Sequence, residues 1–456
     1  MPAIDILPDE HRRLERLSGW FFWSLWATII LIAAAFYYEK AADHRSAFVR
    51  WRPQVLQFWD GVNIYDKMLF PNPPIMPITL HPLMVLPTVV GAMCWFGIKV
   101  VLTTAVLIMC FRIVKPAGGS YPPMFRSLVL LLSLRPILGD LHHGNNNLLI
   151  LFLVVAMYYA WRSGHDILAG LLLALATSYK VTPALFFLYF VYKRQWRTVG
   201  WGLLGMGIFL LIVPSIVIGP QFNAECFGMW WSRMVTPFVV KGATSSQEVN
   251  QSLPAVLSRL LTYLTPGQGR YDTHLVLNVL SLPPWLVNYL IKTVAFCLVG
   301  LLAVLCRTST TDRRDPRLLG EVALVVLTML FVSERSWKHH YVTVLIPYSY
   351  LMYEFFSSRV GPRGRALLVG SWALSFTLMA AASPDLGGLI ADQGHEIAQG
   401  YGSFLWAGFV LYAMVAWRVW ARRSEATARA ARTDSGPAIP RSHLTAVSMP
   451  RPIATT

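Results

Sequence analysis

Residues 144–197, "GNNNLLILFLVVAMYYAWRSGHDILAGLLLALATSYKVTPALFFLYFVYKRQWR", decide the fold. Residues 146–162 form a first, mostly apolar run, closed by the charged "WRSGHD" (161–166). A second run covers 166–179, and a third covers 182–193 and ends at the basic "KRQWR" (193–197). Continuous apolar runs, rather than alternating strands of about ten residues, indicate membrane helices and not a barrel. The second and third runs are shorter than the about 20 residues that cross a bilayer core. They meet at "YKVTP" (179–183), and a break there is tolerable only where neighbouring protein or a water-filled cavity satisfies the freed backbone groups.

Working outward, similar runs recur from residue 20 almost to residue 420. With 55% hydrophobic and only 14% charged residues, the chain holds more apolar sequence than a soluble domain buries. The expected fold class is an all-α polytopic membrane protein of about twelve transmembrane helices, with interfacial segments in its outer loops. The helices are predicted at 20–37, 92–113, 125–140, 146–162, 166–179, 182–193, 198–219, 285–306, 317–333, 341–356, 365–383 and 402–420. One membrane domain, 20–420, follows a cytoplasmic segment, 1–19, and precedes a basic tail, 421–456, whose composition predicts disorder. Residues 20–37 are too long and apolar for a signal peptide and lack a small-residue cleavage site, so they read as a retained helix. Five cysteines, mostly inside apolar runs, supply no disulfide framework.

The net charge of +16 does not point to nucleic acid, because the basic residues crowd short loops between apolar runs. These loops are "HRRLER" (11–16), "FRIVKPAGG" (111–119), "WRSGHD", "KRQWR", "CRTSTTDRRDPR" (306–317), "SSRVGPRGR" (357–365) and the tail from Arg418. Twelve crossings put all seven on one side, which the positive-inside rule makes cytoplasmic, with both termini. The outer face then receives two long segments, 38–91 and 220–284, and three short ones. They carry "AADHRSAF" (41–48), "QFWDGVNIYD" (57–66), "LRPILGDLHHGNNN" (134–147), "SYKVTP" (178–183), "KGATSSQEVNQSLPAVLSR" (241–259) and "SERSWKHH" (333–340). Carboxylates, imidazoles, amides and cations thus converge on the extracytoplasmic face, where any chemistry is expected. Residues 68–91, apolar but broken by prolines, read as a segment lying along that surface.

Several of these strings resemble motifs of glycosyltransferase family 87, within the GT-C superfamily of polyprenyl-phosphate-sugar-dependent enzymes. Residues 144–197 resemble the family's Gly-Gln-x-Asn turn, two helices and Lys-x-x-Pro-x-Leu-x-x-Leu segment. "GVNIY" (61–65), "NQSLPAVLSRL" (250–260) and "SWKHHYVTVLIPY" (336–348) stand in the expected order. Asn145 stands where the family usually has Gln, which keeps the amide and shortens its reach. The resemblance implies a GT-C-like bundle and an inverting transfer from a polyprenyl-phosphate sugar to a glycolipid or glycan acceptor. Mannosyl- and arabinofuranosyltransferases share the architecture; mannose is the expectation. Membrane lipid is the implied surrounding partner, with no cofactor and no nucleic acid.

Sugar transfer to a hydroxyl needs one carboxylate to accept the proton. The departing phosphate needs cationic or hydrogen-bonding stabilisation rather than the second carboxylic acid of a glycosidase. Position and resemblance make Asp43 the catalytic carboxylate; the plainer reading pairs it with Arg45 or Lys40. Asp60 and Asp66 compete in the same loop, although both adjoin turns where Asp serves the backbone. Lys180, at the helix break, reads as a phosphate contact or as a lysine snorkelling to the interface. One of His339 and His340 is expected to face the cavity and the other to pack or face solvent, since neighbours on a helix point about 100° apart; the resemblance implies that one of the two is a donor-phosphate ligand. Trp337 is a sugar-stacking surface or an interfacial belt aromatic.

Arg135, inside an apolar helix, either pairs with Asp140 or holds phosphate; uncompensated, a charge at the bilayer centre costs about 2.5–3.5 kcal/mol. His143, Asn145 and Asn147 join the substrate-binding candidates, against the reading that Gly144 and the asparagines merely make a turn. No metal is expected, because His142, His143 and Asp140 lack a spacing such as His-Glu-x-x-His. Asn250 and Gln251 read as part of a structural or acceptor-binding loop. The rival class is a polytopic transporter or lipid flippase. Such proteins tend to show two related halves and sites near the midplane, whereas here the polar residues lie toward one face.

Overall fold

The computed structural model describes residues 8–434 apart from 69, 116–120, 123, 241–242, 244, 264–274, 358 and 385–392. Every predicted helix is present. They are α1 (Pro8–Ala42), α2 (Thr88–Ile113), α3 (Phe125–His143), α4 (Asn147–Arg162), α5 (Asp166–Tyr179), α6 (Thr182–Tyr192), α7 (Trp196–Ile218), α8 (Pro284–Leu305), α9 (Pro316–Val332), α10 (Leu345–Phe356), α11 (Pro362–Ala381) and α12 (Ser403–Asp434). The described chain is all-α, and six helices are long and apolar enough to cross a membrane: α1, α2, α7, α8, α11 and α12. Helices α4, α5 and α6 are shorter but equally apolar.

Local chemistry sets the ends. Proline opens α8, α9 and α11, where its missing N–H costs nothing. The Asp315 carboxylate caps α9 by accepting from Arg317 N–H at 2.8 Å. Helices α1 and α12 outrun their apolar segments. The expected disorder from 421 does not hold for 421–434, which continue α12; residues 435–456 lie outside the described residues. Alanine, arginine and glutamate in "ARRSEATARAARTD" are strong helix formers, and Arg423 ties the helix to the Val304 and Leu305 carbonyls.

The 38–91 segment folds as short helices, Ala47–Trp59, Ile64–Lys67 and Ile75–Met84, before α2 begins at Thr88. Ser46 and Asn63 cap the first two. Helix Pro220–Trp230 and helix Leu253–Leu261 stand in the second long segment.

Polar links sort the connections to two ends. At one end Arg313 donates to the Trp161 carbonyl, to Asp166 at 2.6 Å and to Gln195 at 2.9 Å, joining three basic loops. At the other, Lys40 meets His142 (3.4 Å), Asn72 meets the Tyr179 carbonyl (2.7 Å), Lys180 meets Asn147 (2.7 Å) and Asn250 meets the Glu334 carbonyl (2.9 Å). The segments predicted to share a face do come together.

Candidate active site

The site starts from the turn that ends α3. Gly144 adopts φ +77, where an L side chain is strained, and donates its N–H to the Asp140 carbonyl. A Cβ there would lie 2.9 Å from the Tyr37 hydroxyl. Trp95 Nε1 donates to the Gly144 carbonyl at 3.1 Å, fixing the turn from α2. Asn145, Asn146 and Asn147 then lead directly into α4.

Asp140 organises the residues around this turn. Its carboxylate is fully buried, accepts from Asn147 Nδ2 (2.9 Å) and Leu148 N–H (3.4 Å), and lies 3.5 Å from Lys99 Nζ. Lys99 Nζ also donates to the Asp140 carbonyl at 2.7 Å. The sequence alternative of an Arg135–Asp140 pair is therefore corrected. Five helical residues separate the two off one face; Asp140 turns to Lys99 of α2, while Arg135 Nε donates to Ser383 Oγ. Gly139 leaves room for the Arg135 guanidinium to lie beside α3 near His339.

Lys180 occupies the break between α5 and α6 in extended backbone (φ −154, ψ 127), as Pro183 just ahead requires the helix to stop. The carbonyl freed at Tyr179 accepts from Asn72 Nδ2, which makes the break tolerable. Half-buried Lys180 donates to Asn147 Oδ1 at 2.7 Å. Burial without an adjacent carboxylate pulls its ammonium down to about 7, with Asp140 offsetting only part of the effect. Such a lysine gains most from an incoming anion.

Residues 333–344 supply the imidazoles. A bridge between Asn250 and Trp337 holds this segment to the second long loop, and a 3₁₀ turn, Lys338–Val344, precedes α10. The tighter turn separates successive side chains by about 120°. His339 stacks on His143 (4.5 Å between ring centres, 19° between planes) and meets Asn145 Nδ2 at 3.1 Å. His340 turns instead to a small cleft, which it lines with Asn147, Lys180, Thr182, Ser333 and Ser336. Ile150, Met329, Leu330 and Val342 form the apolar wall.

The Arg335 carbonyl, an acceptor only, lies 3.2 Å from His340 Nδ1, so that nitrogen carries the proton and Nε2 keeps its lone pair. Burial, then Lys180, holds His340 well below the usual imidazole range; burial, His340 and His143 do the same to His339. Trp337 lies parallel to His340 (6.2 Å) and edge-on to His339 (5.4 Å), and its Nε1 is buried without a partner among the described residues. Lys338 reaches the Ala382 carbonyl (3.4 Å) and is lowered to about 8 by burial and by Arg135 and Lys40. Burial raises Glu334 to about 7 against the pull of Arg335.

The remaining sequence candidates sit elsewhere. Asp43 stands exposed on the turn after α1, 2.6 Å from Arg45. Its turn is tied to the end of α3 through Lys40 and His142. Asp60 is exposed at the end of helix Ala47–Trp59, and Asp66 pairs with Arg233 at 3.1 Å on the surface. Asn250 and Gln251 are fully buried and commit their amides to backbone. Asn250 holds the Ser245 and Glu334 carbonyls and the Ser252 and Ser336 N–H groups; Gln251 holds the Glu248 and Gln399 carbonyls and Phe404 N–H. They brace the 333–340 segment from behind. Among the described residues no cluster of three His, Cys, Asp or Glu could hold a metal. Lys99 was absent from the sequence candidates, although a lone lysine inside the apolar "WFGIKVVL" (95–102) was its signal.

The fold and the site define an all-helical membrane protein with a small cleft lined by Lys180, His340, amide and hydroxyl groups and apolar side chains. The chain belongs to glycosyltransferase family 87, which it matches over residues 70–338, more than half its length. It is also similar to a polyprenol-phosphate-mannose-dependent alpha-(1-2)-phosphatidylinositol mannoside mannosyltransferase from Mycolicibacterium smegmatis, 26% identical over 223 residues. That alignment covers 46% of this chain and 42% of the relative, so the chain spans less than half the length of the curated protein it matches. No solved structure matches. The family match opens after Asp43 and closes at Lys338. It takes in the α3–α4 turn and Lys180.

Proposed function

We propose that this membrane glycosyltransferase moves mannose from a polyprenyl-phosphate donor to a lipid-linked or glycan acceptor on the extracytoplasmic face. The observation that carries the reading is Lys180. It is a half-buried ammonium held by an amide, and with His340 it lines a small cleft whose other side chains are partly apolar. A phosphate is the group that such an ammonium and its neighbouring donors suit, and the apolar residues among them suit an adjoining lipid chain. In this reading the acceptor hydroxyl attacks the anomeric carbon, the bond from that carbon to the phosphate oxygen breaks, and configuration inverts. Lys180 stabilises the charge developing on the departing phosphate. The arriving anion also raises the His340 basicity, so that Nε2 takes a proton and donates. His339, His143 and Asn145 hold that ring cluster in place, and Arg135 adds positive potential behind it.

Asp43 accepts the acceptor's proton. Its exposure suits a base that must meet a second substrate, and the Lys40–His142 contact just before it joins the end of α1 to the end of α3. The relative's printed name supplies the donor class and suggests a phosphatidylinositol mannoside-type glycolipid as one acceptor. The test incubates membranes carrying wild type or Asp43→Asn with radiolabelled polyprenyl-phosphate mannose and a host lipid extract. Label reaching a new glycolipid with wild type only is the expected result. Transfer that survives Asp43→Asn moves the base elsewhere, Asp60 first. Failure with every lipid-linked sugar, while labelled lipid still crosses the bilayer, would establish a transporter instead.

A further inference from the structure

Lys180 does not meet a carboxylate, yet one lies a single residue further back. Asp140 Oδ1 accepts from Asn147 Nδ2 (2.9 Å), and Asn147 Oδ1 accepts from Lys180 Nζ (2.7 Å). The first bond fixes the second. An amide has one oxygen and one NH₂, so a carboxylate that claims the NH₂ obliges the oxygen to face Lys180. Lys99, buried with Asp140, balances its charge and also binds the Asp140 carbonyl at the end of α3. The arrangement separates two jobs that a direct Asp–Lys180 pair would confuse. A carboxylate on Lys180 would orient the ammonium but neutralise it; the intervening amide orients it and leaves its charge for a ligand.

We propose that Asp140, charge-balanced by Lys99, is a positioning residue that locks the Asn147 amide and thereby aims Lys180 at the donor phosphate. This rests on the reading of the donor as a polyprenyl-phosphate sugar. The four residues come from α2, α3, the start of α4 and the α5–α6 break, so the relay also sets the distance between the Gly144 turn and the cleft. An ordinary structural ion pair would explain Lys99 and Asp140 alone. It would not explain why the next group in the chain is an amide whose other end holds a cleft lysine.

The experiment measures binding of a short-chain polyprenyl phosphate, without sugar, to the purified full-length protein in lipid nanodiscs. The double variant Lys99→Met/Asp140→Leu removes the buried pair but keeps the volume apolar, an exchange proteins often tolerate without losing stability. With thermal stability retained, its affinity is expected to fall about tenfold, the scale of one hydrogen bond to a charged group. Asn147→Ala, which leaves the ion pair intact, should lose about the same, and the triple variant should lose no more than either. Wild-type affinity in a folded double variant, or in Asn147→Ala, overturns the proposal. So does a triple variant in which the two losses multiply. If the double variant fails to fold, Asn147→Ala alone decides. Wild-type protein that does not bind the probe overturns the donor reading and this inference together, whereas wild-type binding with unaffected variants overturns the inference alone.

Discussion

Raising the pH should strip this protein of its donor, and Lys180 sets where. Burial lowers its ammonium to about 7. A phosphate prefers the protonated form, so the affinity follows the protonated fraction of the free protein until the complex itself titrates. This is a base whose folded value is depressed, so the charged state is complete below about 7 and is lost as the pH climbs past it. The fraction falls from about nine-tenths at pH 6 to about one-hundredth at pH 9, a loss of up to about 90-fold in affinity. Lys338, lowered to about 8, and Glu334, raised to about 7, titrate in the same window. Lys180→Arg isolates the effect, because a guanidinium stays charged throughout. The assay is the dissociation constant of a short-chain polyprenyl phosphate for nanodisc-embedded wild type and Lys180→Arg from pH 6 to pH 9. Wild type should weaken most steeply, Lys180→Arg should keep only the smaller slope left by Lys338, Glu334 and the probe's own second ionisation, and Lys180→Met should be weaker than wild type by about 1.5–3 kcal/mol at pH 6. A wild-type profile as flat as that of Lys180→Arg would refute the reasoning.

Asp43→Asn should reduce transfer by about 10²–10⁴-fold while leaving binding of the sugar-free phosphate unchanged, read by the radiolabel assay and the same titration. Gln251→Leu should cost ~2–4 kcal/mol, because two carbonyls and the Phe404 N–H lose a buried partner; thermal unfolding in detergent measures it. Gly144→Ala should cost ~1–3 kcal/mol through the positive φ and the contact with the Tyr37 hydroxyl. Adding Tyr37→Phe should restore only part of that stability, since it removes the hydroxyl and leaves the backbone strain.

The helices were legible because each apolar run is continuous and each is closed by charge or proline. Their ends were not. Helices α1 and α12 extend past the apolar residues through Arg, Glu and Ala, which favour helix without marking a membrane. The break at "YKVTP" was legible from Pro183, but its partner, Asn72, lies 107 residues from Tyr179 and no local pattern names it. Long-range pairing hid Asp140 in the same way. Arg135 was the nearest cation in sequence, while the cation that balances Asp140 is Lys99, 41 residues earlier. His339 and His340 show the finer limit. Two adjacent imidazoles plainly diverge, but which one meets the cleft depends on a 3₁₀ turn. That turn is set by the Asn250 bridge from a distant loop.

Charge compensation separates the two ends of the molecule. Lys193 meets Glu321 at 2.6 Å, with Tyr189 and the Thr308 N–H on the same carboxylate. Arg418 and Arg422 share Glu354. Both clusters are buried and closed by full counter-charges, which suits groups whose task is to hold helices together. The fork of Arg259 is occupied by carbonyls of Ser246, Gln247, Gln399 and Gly400. Lys180 and Lys338 differ: among the described residues one has a single amide oxygen and the other a single long contact to a carbonyl. Each ammonium has three donors, and both lysines flank the same imidazole and tryptophan cluster. Both lysines are half-buried, so their ammonium groups are only partly solvated. An anionic headgroup entering the cleft, as the proposed function requires, would supply the acceptors that the half-buried ammonium of Lys180 has free donors for.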